Sequence, residues 1–409
     1  MIRSLTIGLP IGAMSPAEID ARVRALLRAK DEVLAGREPR TLRFTLPPSG
    51  AEGEAEGALF SRLRWVDELA NATGVRWYCL PLDFVSPGSR RGRLAVALDA
   101  VTRFQRLFLN LILAADRRIA VNASQDAAQL VLDISRKSNN GFDNFRVGAS
   151  FNCPPNAPFF PFSRHHGDTV AFSFALETTQ VALEAINDFP RAQDAGAVRD
   201  ALVQALEPRL HEMHALGEQL AAMSGCEYRG LDASFAPMPV EHVSVARLVE
   251  KIIGAPVGSH GSIFATSFLT DALRTAIQRS GARAVGFNGV MYSMLEDPAL
   301  AAAHSKRRIG LDGLLALSTV CACGLDMIPV PGLSFPEEIS AVMLDVAGLS
   351  CALDKPLGAR LLPIPGAHVN ELTELNLDFL CDSRVLGLTS NDRRLESQEH
   401  LLGFRVPRH

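Results

Sequence analysis

No stretch of this chain comes near the roughly 18 consecutive apolar residues of a membrane-spanning helix. The nearest run, Phe108 to Ala115, is far shorter. The seven cysteines are odd in number and follow no regular spacing, which excludes a disulfide framework and predicts reduced thiols in a cytoplasmic protein. Cationic excess is missing too: the net charge is -4, whereas nucleic-acid binding needs clustered Lys and Arg. The one basic run, Ser89-Arg90-Arg91-Gly92-Arg93, reads as a solvated turn ahead of a helix. Gly8 and Gly12 do not make a dinucleotide fingerprint, no Gly-Lys-Ser/Thr occurs, and the Gly-x-Ser-x-Gly elbow is absent. Nucleotide hydrolysis, dinucleotide-dependent dehydrogenation and esterase chemistry therefore drop out, and no nucleotide cofactor is expected. Met1 to Met14, broken by Gly8, Pro10 and Gly12, reads as a first strand rather than a signal peptide.

What remains is ordinary globular composition, 47% hydrophobic and 21% charged, in a chain long enough to bury a sizeable core. Ile2–Leu9 and Thr41–Leu46 alternate polar and apolar residues as half-buried strands do, and Arg76–Val85, Arg118–Asn122, Phe145–Phe151 and Thr169–Leu176 continue the strands. Helices are predicted at Pro16–Leu34, Leu59–Ala72, Arg93–Ala114 and Ser124–Arg136, the last with Ser124 as N-cap. A long helical stretch, Glu177–Met223, is expected to break near Pro190 and Pro208. Further strands are predicted at Glu227–Phe235, Arg283–Met291 and Ala359–Ile364, and further helices at Val243–Ile253, Ser262–Ser280, Leu311–Cys321 and Phe335–Leu353. Repeated strand–helix alternation implies an α/β fold with a mostly parallel sheet. With no low-complexity linker and one loose stretch at Ser49–Gly57, the chain reads as a single domain, 1–409.

Three segments stand out as loops, Asn152 to Gly167, Tyr292 to Asp297, and Ala322 to Gly332, the last rich enough in Pro and Gly to have a rigid path. Phe287-Asn288-Gly289-Val290-Met291 running to Leu295-Glu296-Asp297, then Gly324-Leu325-Asp326-Met327-Ile328-Pro329-Val330-Pro331-Gly332, and Lys355-Pro356-Leu357-Gly358-Ala359-Arg360-Leu361 resemble the hallmarks of the uncharacterised domain of unknown function 711 family, also called uncharacterised protein family 0210. Weaker echoes lie at Leu231 to Pro237, Pro158 to Pro161 and Ile2 to Thr6, so the resemblance spans nearly the whole chain. It implies a homodimer with an α/β barrel similar to that of glycyl radical enzymes, helices packed around the strands, and no settled activity. The family pattern continues Pro-Gly-Asp at the end of the second motif; here Leu333 follows Gly332. The radical loop itself is missing, since Arg146-Val147-Gly148-Ala149-Ser150 stands mid-chain without the aromatic, and Gly403 to Pro407 does not match.

The candidate chemistry follows from residue types. His165 and His166 are the acid/base candidates, because imidazole titrates near neutral pH. Cys321 and Cys323 form a Cys-x-Cys pair at a helix end, suited to thiolate chemistry, although small buried thiols more often simply pack. They are no zinc signature without a second pair. Glu296 is a candidate base, beside an Asp297 placed to cap the helix opened by Pro298. Asp326 is a further catalytic candidate, while Asp232, Asn288, Lys355 and Arg360 are candidates for holding substrate, the two cations by pairing with a carboxylate or phosphate. If Asp232, Glu296, Asp297 and Asp326 converge, a divalent cation fits among them. The expected function is an enzyme on a small polar or anionic metabolite using acid/base or thiol chemistry. An inert ligand-binding or regulatory protein is the alternative, and a metal-dependent lyase or hydrolase a third.

Overall fold

The computed structural model describes residues 2–49, 56–86, 93–189, 194–389 and 395–404. Its strands are β1 (Ile2–Gly8), β2 (Thr41–Thr45), β3 (Trp77–Asp83), β4 (Leu107–Ala115), β5 (Arg118–Ile119), β6 (Val147–Phe151), β7 (Ala171–Leu176), β8 (Glu227–Asp232), β9 (Gly324–Pro331), β10 (Leu357–Ile364) and β11 (Leu402–Gly403). The main sheet runs β8-β7-β1-β2-β3-β4-β6-β10-β9. Neighbours are parallel from β1 through β2, β3 and β4 to β6, and again within the pairs β7–β8 and β9–β10. Antiparallel joints at β1–β7 and β6–β10 set these two outer pairs against the central five strands. Isolated parallel bridges Leu231–Ala284, Phe235–Val290 and Ser293–Asp326 tie the segment 284–293 to the β8 and β9 ends.

The alternation seen in β1 explains which face does what. Leu5, Ile7 and Leu9 join the large core together with Ile19, Val23 and Leu26 of helix Pro16–Val33. That helix starts where Ser15 accepts from the Glu18 N–H and the Glu18 carboxylate accepts from the Ser15 N–H, a capping box ahead of Pro16. Ser4, Thr6 and Gly8 occupy the other face of β1, where the two hydroxyls donate to the Pro158 carbonyl at 3.5 and 3.1 Å. One side of the sheet therefore carries helices, and the other carries a buried loop.

Several expectations need correction. Arg93–Ala114 is not one helix: helix Arg93–Arg103 ends and β4 begins at Leu107. β4 is buried on both faces between β3 and β6, so its apolar run has no period to tell strand from helix. Gly324–Pro331 is a strand rather than a loop; β9 ends the paired order of the sheet, where Pro329 and Pro331 need donate no ladder hydrogen bond. Pro208 lies inside an unbroken helix, Ala195–Ser224, on its exposed side. Ser124 is not a cap either. It sits one turn inside helix Val121–Lys137, donating to the Val121 carbonyl and sharing a 2.7 Å hydrogen bond with Ser340. Arg283–Met291 forms bridges without a continuous strand, and Arg118–Asn122 holds only the two-residue β5. Residues 50–55 of the loose stretch, residues 89–92 of the basic run, Pro190 of the expected helix break, and residues 405–407 of the C-terminal comparison lie outside the described residues. Among the described residues, no helix is long and apolar enough to cross a membrane.

Candidate functional site

A loop that enters a sheet's interior must find partners for its backbone polar groups. Here the inward positions of the strands supply them. Ser173 donates to the Asn156 carbonyl at 2.9 Å, Cys79 to that of Pro161 at 3.2 Å, and Asn110 to that of Ser163 at 3.2 Å. Phe159, Phe160 and Phe162 are buried. The Phe162 ring lies so close to Gly148 and Gly358 that a β-carbon at either glycine would collide with it. Small residues on the inward face thus make the room that the loop fills.

Beside Phe159 and Phe160 a recess of about 80 Å³ opens, walled further by Trp77, Phe108 and Phe145. Three guanidiniums and two carboxylates line it: Arg3, Arg43, Arg360, Glu296 and Asp326. Arg360 is buried and grips Asp326 through two hydrogen bonds, Nε to Oδ1 at 2.6 Å and Nη2 to Oδ2 at 2.7 Å, while donating to the Phe145 carbonyl at 3.0 Å. Glu296 is shared, with Arg3 at 3.5 Å and Arg360 at 3.9 Å. Arg43 is different. Its polar contacts among the described residues are Thr41 Oγ1 at 3.1 Å and the Pro158 carbonyl at 3.5 Å, and no carboxylate lies within 4.0 Å. Burial, then the positive charge of Arg3, lowers its pKa to about 9, which leaves it protonated at neutral pH. Each guanidinium lies over an aromatic ring: Arg3 over Phe159, Arg43 over Phe160 and Arg360 over Phe145, 5.1–5.9 Å from the ring centres. Three cations against two anions leave the recess with one unmatched positive charge.

Cys323 reaches the recess and Cys321 lies directly behind it, both buried. The Gly324 N–H donates to the Cys321 sulfur at 3.4 Å, whereas the Cys323 thiol donates to the Tyr292 carbonyl at 3.7 Å. Proximity of the Cys323 side chain, followed by Lys355 and the Gly324 N–H, lowers the Cys321 pKa against burial. The same proximity, together with burial, raises Cys323. The two thiols therefore shift in opposite directions and titrate as a pair.

Of the residues singled out in the sequence, Glu296, Asp326, Cys323 and Arg360 meet in the recess, with Cys321 behind them. The others lie elsewhere. Lys355 places its ammonium on the Ser318, Thr319 and Cys321 carbonyls, all within 3.0 Å, at the end of helix Leu311–Ser318. Asp232 is fully buried and accepts from the backbone N–H groups of Ser234, Phe287 and Asn288 and from the Ser234 hydroxyl. Asn288 accepts from the Ala233 N–H and donates to the Val285 carbonyl. These two side chains stitch segment 284–293 to β8. Asp297 caps helix Pro298–Ser305 and also accepts from Ser244 and the Ala246 N–H. The carboxylate quartet therefore does not converge, and no group of three or more metal-ligating side chains occurs among the described residues.

His165 packs against Gly8 near the far ends of β1 and β2, its Nε2 3.0 Å from the Gly167 carbonyl, and burial lowers its pKa to about 4. His166 is exposed, and its N–H donates to Asn156. Neither histidine lines the recess. Arg3, Arg43 and the aromatic walls escaped the sequence reading. Arg43 alternates with the apolar Leu42 and Phe44 of β2, while Arg3 lies at a register irregularity of β1, so neither is placed by the sequence alone.

The sequence pattern of the family described as Uncharacterised ACR (DUF711) matches residues 41–376. A UPF0210 protein of Pyrobaculum arsenaticum is 31% identical over 353 residues, covering 82% of this chain and 75% of the relative. One from Lactobacillus delbrueckii subsp. bulgaricus is 27% identical over 258 residues, 63% of this chain and 57% of the relative. A UPF0210 protein of Clostridium botulinum is 26% identical over 297 residues, 71% of this chain and 64% of the relative.

Proposed function

The chain belongs to the DUF711 family, and from the geometry of its recess we propose that it is an enzyme acting on a small anionic metabolite by non-radical acid/base or thiol chemistry. The observation that carries this reading is the unmatched Arg43 guanidinium in an aromatic recess shared with Cys323 and Glu296. A guanidinium held away from any carboxylate takes its counter-charge from a ligand. A volume near 80 Å³, at about 10–15 Å³ per water-sized group, suits an acid of roughly five to eight heavy atoms. In this reading Arg43 and Arg3 hold the acid, and Cys323, the thiol that keeps its proton, presents it to the ligand as general acid. Glu296, oriented by Arg3 and Arg360, is the proton acceptor.

We read the sheet as a barrel of the glycyl-radical-enzyme kind, closed through segment 284–293; the three parallel bridges to β8 and β9 support that closure. The radical motif is absent from the sequence, so fold and radical chemistry are separate matters here. The reading also includes a homodimer, as the family resemblance implies, and a cytoplasmic location, which seven free thiols support. The second reading is an inert ligand-binding protein, favoured by Leu333 standing, largely exposed, where the family motif carries Asp.

The test uses pyruvate, lactate, oxalate and malonate in thermal-shift and Trp77 fluorescence titrations of the full chain. At least one is expected to stabilise the wild type by about 2.7 kcal/mol at a hundred times its Kd and to lose that effect in Arg43→Ala. Equal response of Arg43→Ala and wild type sinks the anion site. Turnover that vanishes in Cys323→Ser while binding persists supports the enzyme, whereas binding without turnover in the wild type supports the second reading.

A further inference from the structure

A second cavity, of about 400 Å³, lies at the opposite end of the buried loop, where β3 and β4 finish. Asp83 at the end of β3, Ala114 and Ala115 at the end of β4, and Cys153 and Arg164 from the two ends of the loop line it. In α/β sheets, ligands collect outside the carboxyl ends of the parallel strands, and this cavity occupies that position for the central five.

Its lining charges balance in number, Asp83 and Asp116 against Arg118 and Arg164, but Arg164 is in contact with neither carboxylate. Arg164 is half-buried, and among the described residues its one side-chain hydrogen bond is a long one, Nη2 to the Cys153 carbonyl at 3.4 Å, with no carboxylate within 4.0 Å. A guanidinium carries five N–H donors, so most of its capacity faces the cavity unused. The two acidic neighbours do not supply the missing partner. The Asp83 carboxylate accepts from the Val85 and Ser86 N–H groups at 2.8 and 3.0 Å and from the Ser86 hydroxyl, closing its own turn. Asp116 is 88% exposed and faces Arg118 at 3.9 Å. Hydrophobic and backbone surfaces of Pro48, Val85 and Ile112 complete a wall against which an organic acid can lie.

We propose that this cavity is a second ligand site, taking a small molecule that bears a carboxylate or phosphate group for Arg164 and has more bulk than the recess admits. It is independent of the recess chemistry, since Arg43 and Arg164 line different cavities. The two sites nonetheless share one element, because the loop that walls the recess with Phe159 and Phe160 carries Arg164 into the other cavity.

Titration calorimetry on the full chain tests it, with malonate as the carboxylate probe and inorganic phosphate as the second arm. The wild type is expected to bind two equivalents of one of these probes. Arg43→Ala is expected to lose one equivalent together with any change in Trp77 fluorescence, because Trp77 lines only the recess. Arg164→Ala is expected to lose the other equivalent, or at least tenfold in its affinity, with the Trp77 response intact; Arg164→Gln serves if the alanine variant fails to fold. Preference for malonate or phosphate tells a carboxylate ligand from a phosphate ester. Probe binding that both Arg164→Ala and Arg164→Gln leave undiminished, or no binding of either probe to the wild type, overturns the second site; a single wild-type equivalent lost in Arg164→Ala keeps it. The recess reading would stand or fall separately on Arg43→Ala.

Discussion

Asp326→Ala removes one member of the tightest ion pair in the recess and leaves its partner in place. Arg360, 5% exposed, would keep a hydrogen bond to the Phe145 carbonyl and a distant Glu296 at 3.9 Å. Breaking a buried ion pair by deleting one partner costs about 3–5 kcal/mol, because the remaining charge stays desolvated. Asp326 is 14% exposed and Glu296 offers partial compensation, so the lower end, about 3 kcal/mol, applies. With an unfolding entropy of about 2.1 cal/mol/K per residue over 409 residues, that corresponds to a Tm lower by about 3.5 °C. Circular dichroism and calorimetric melts at pH 7 measure it. The companion variant, Asp326→Leu combined with Arg360→Met, replaces both charges with apolar groups and is expected to melt within about 1 °C of the wild type. A single variant that melts within 1 °C of the wild type, or a double variant no more stable than the single, would refute the claim that desolvated charge dominates this pair.

His165 provides a pH signature. Its folded pKa of about 4 lies below the unfolded value near 6.5, so the unfolded chain binds the extra proton between those values. The corresponding stability is complete above pH 6.5 and is lost as pH falls toward 4, by up to about 3 kcal/mol; urea midpoints across pH 4–7 should show this slope in the wild type and a flatter one in His165→Asn. Gly358→Ala would drive a β-carbon into the Phe162 ring and is expected to cost about 1–3 kcal/mol as overpacking, read as a lower urea midpoint. Adding Phe162→Leu should recover part of that loss, and a midpoint unchanged by Gly358→Ala would remove the close-approach argument.

Much of the fold is legible where a strand has two unlike faces. Leu5, Ile7 and Leu9 alternate with Ser4, Thr6 and Gly8, and the period of two alone separates the helix-covered side of β1 from the loop-covered side. β4 offers no such contrast, because helices cover one face and Phe160 and the buried loop the other. The Pro-rich β9 misleads for a different reason: its composition is that of a loop, and only its place at the end of the paired strands makes the prolines tolerable. In the site, Glu296, Asp326, Cys323 and Arg360 are legible because each stands in a distinctive motif. Arg3 and Arg43 are not, since they reach those residues through sheet pairing: β2 lies beside β1 with Arg43 opposite Thr6, and Arg3 meets Glu296 from 293 positions away. No local pattern carries that information.

The segment from Asn152 to Gly167 inverts a common assumption about where a protein can absorb change. Connecting loops ordinarily accept insertions and deletions because they run over the surface. This one is held by side chains of four different strands, through Thr6, Cys79, Asn110 and Ser173, and its Phe162 meets two strand glycines, Gly148 and Gly358, across contact distances that leave no slack. Sequence drift in the chain's relatives should therefore spare its length more strictly than that of many helices, and a grafted tag or peptide placed there would act as a core lesion. An engineer seeking a permissive splice point has to look to the outer connections instead.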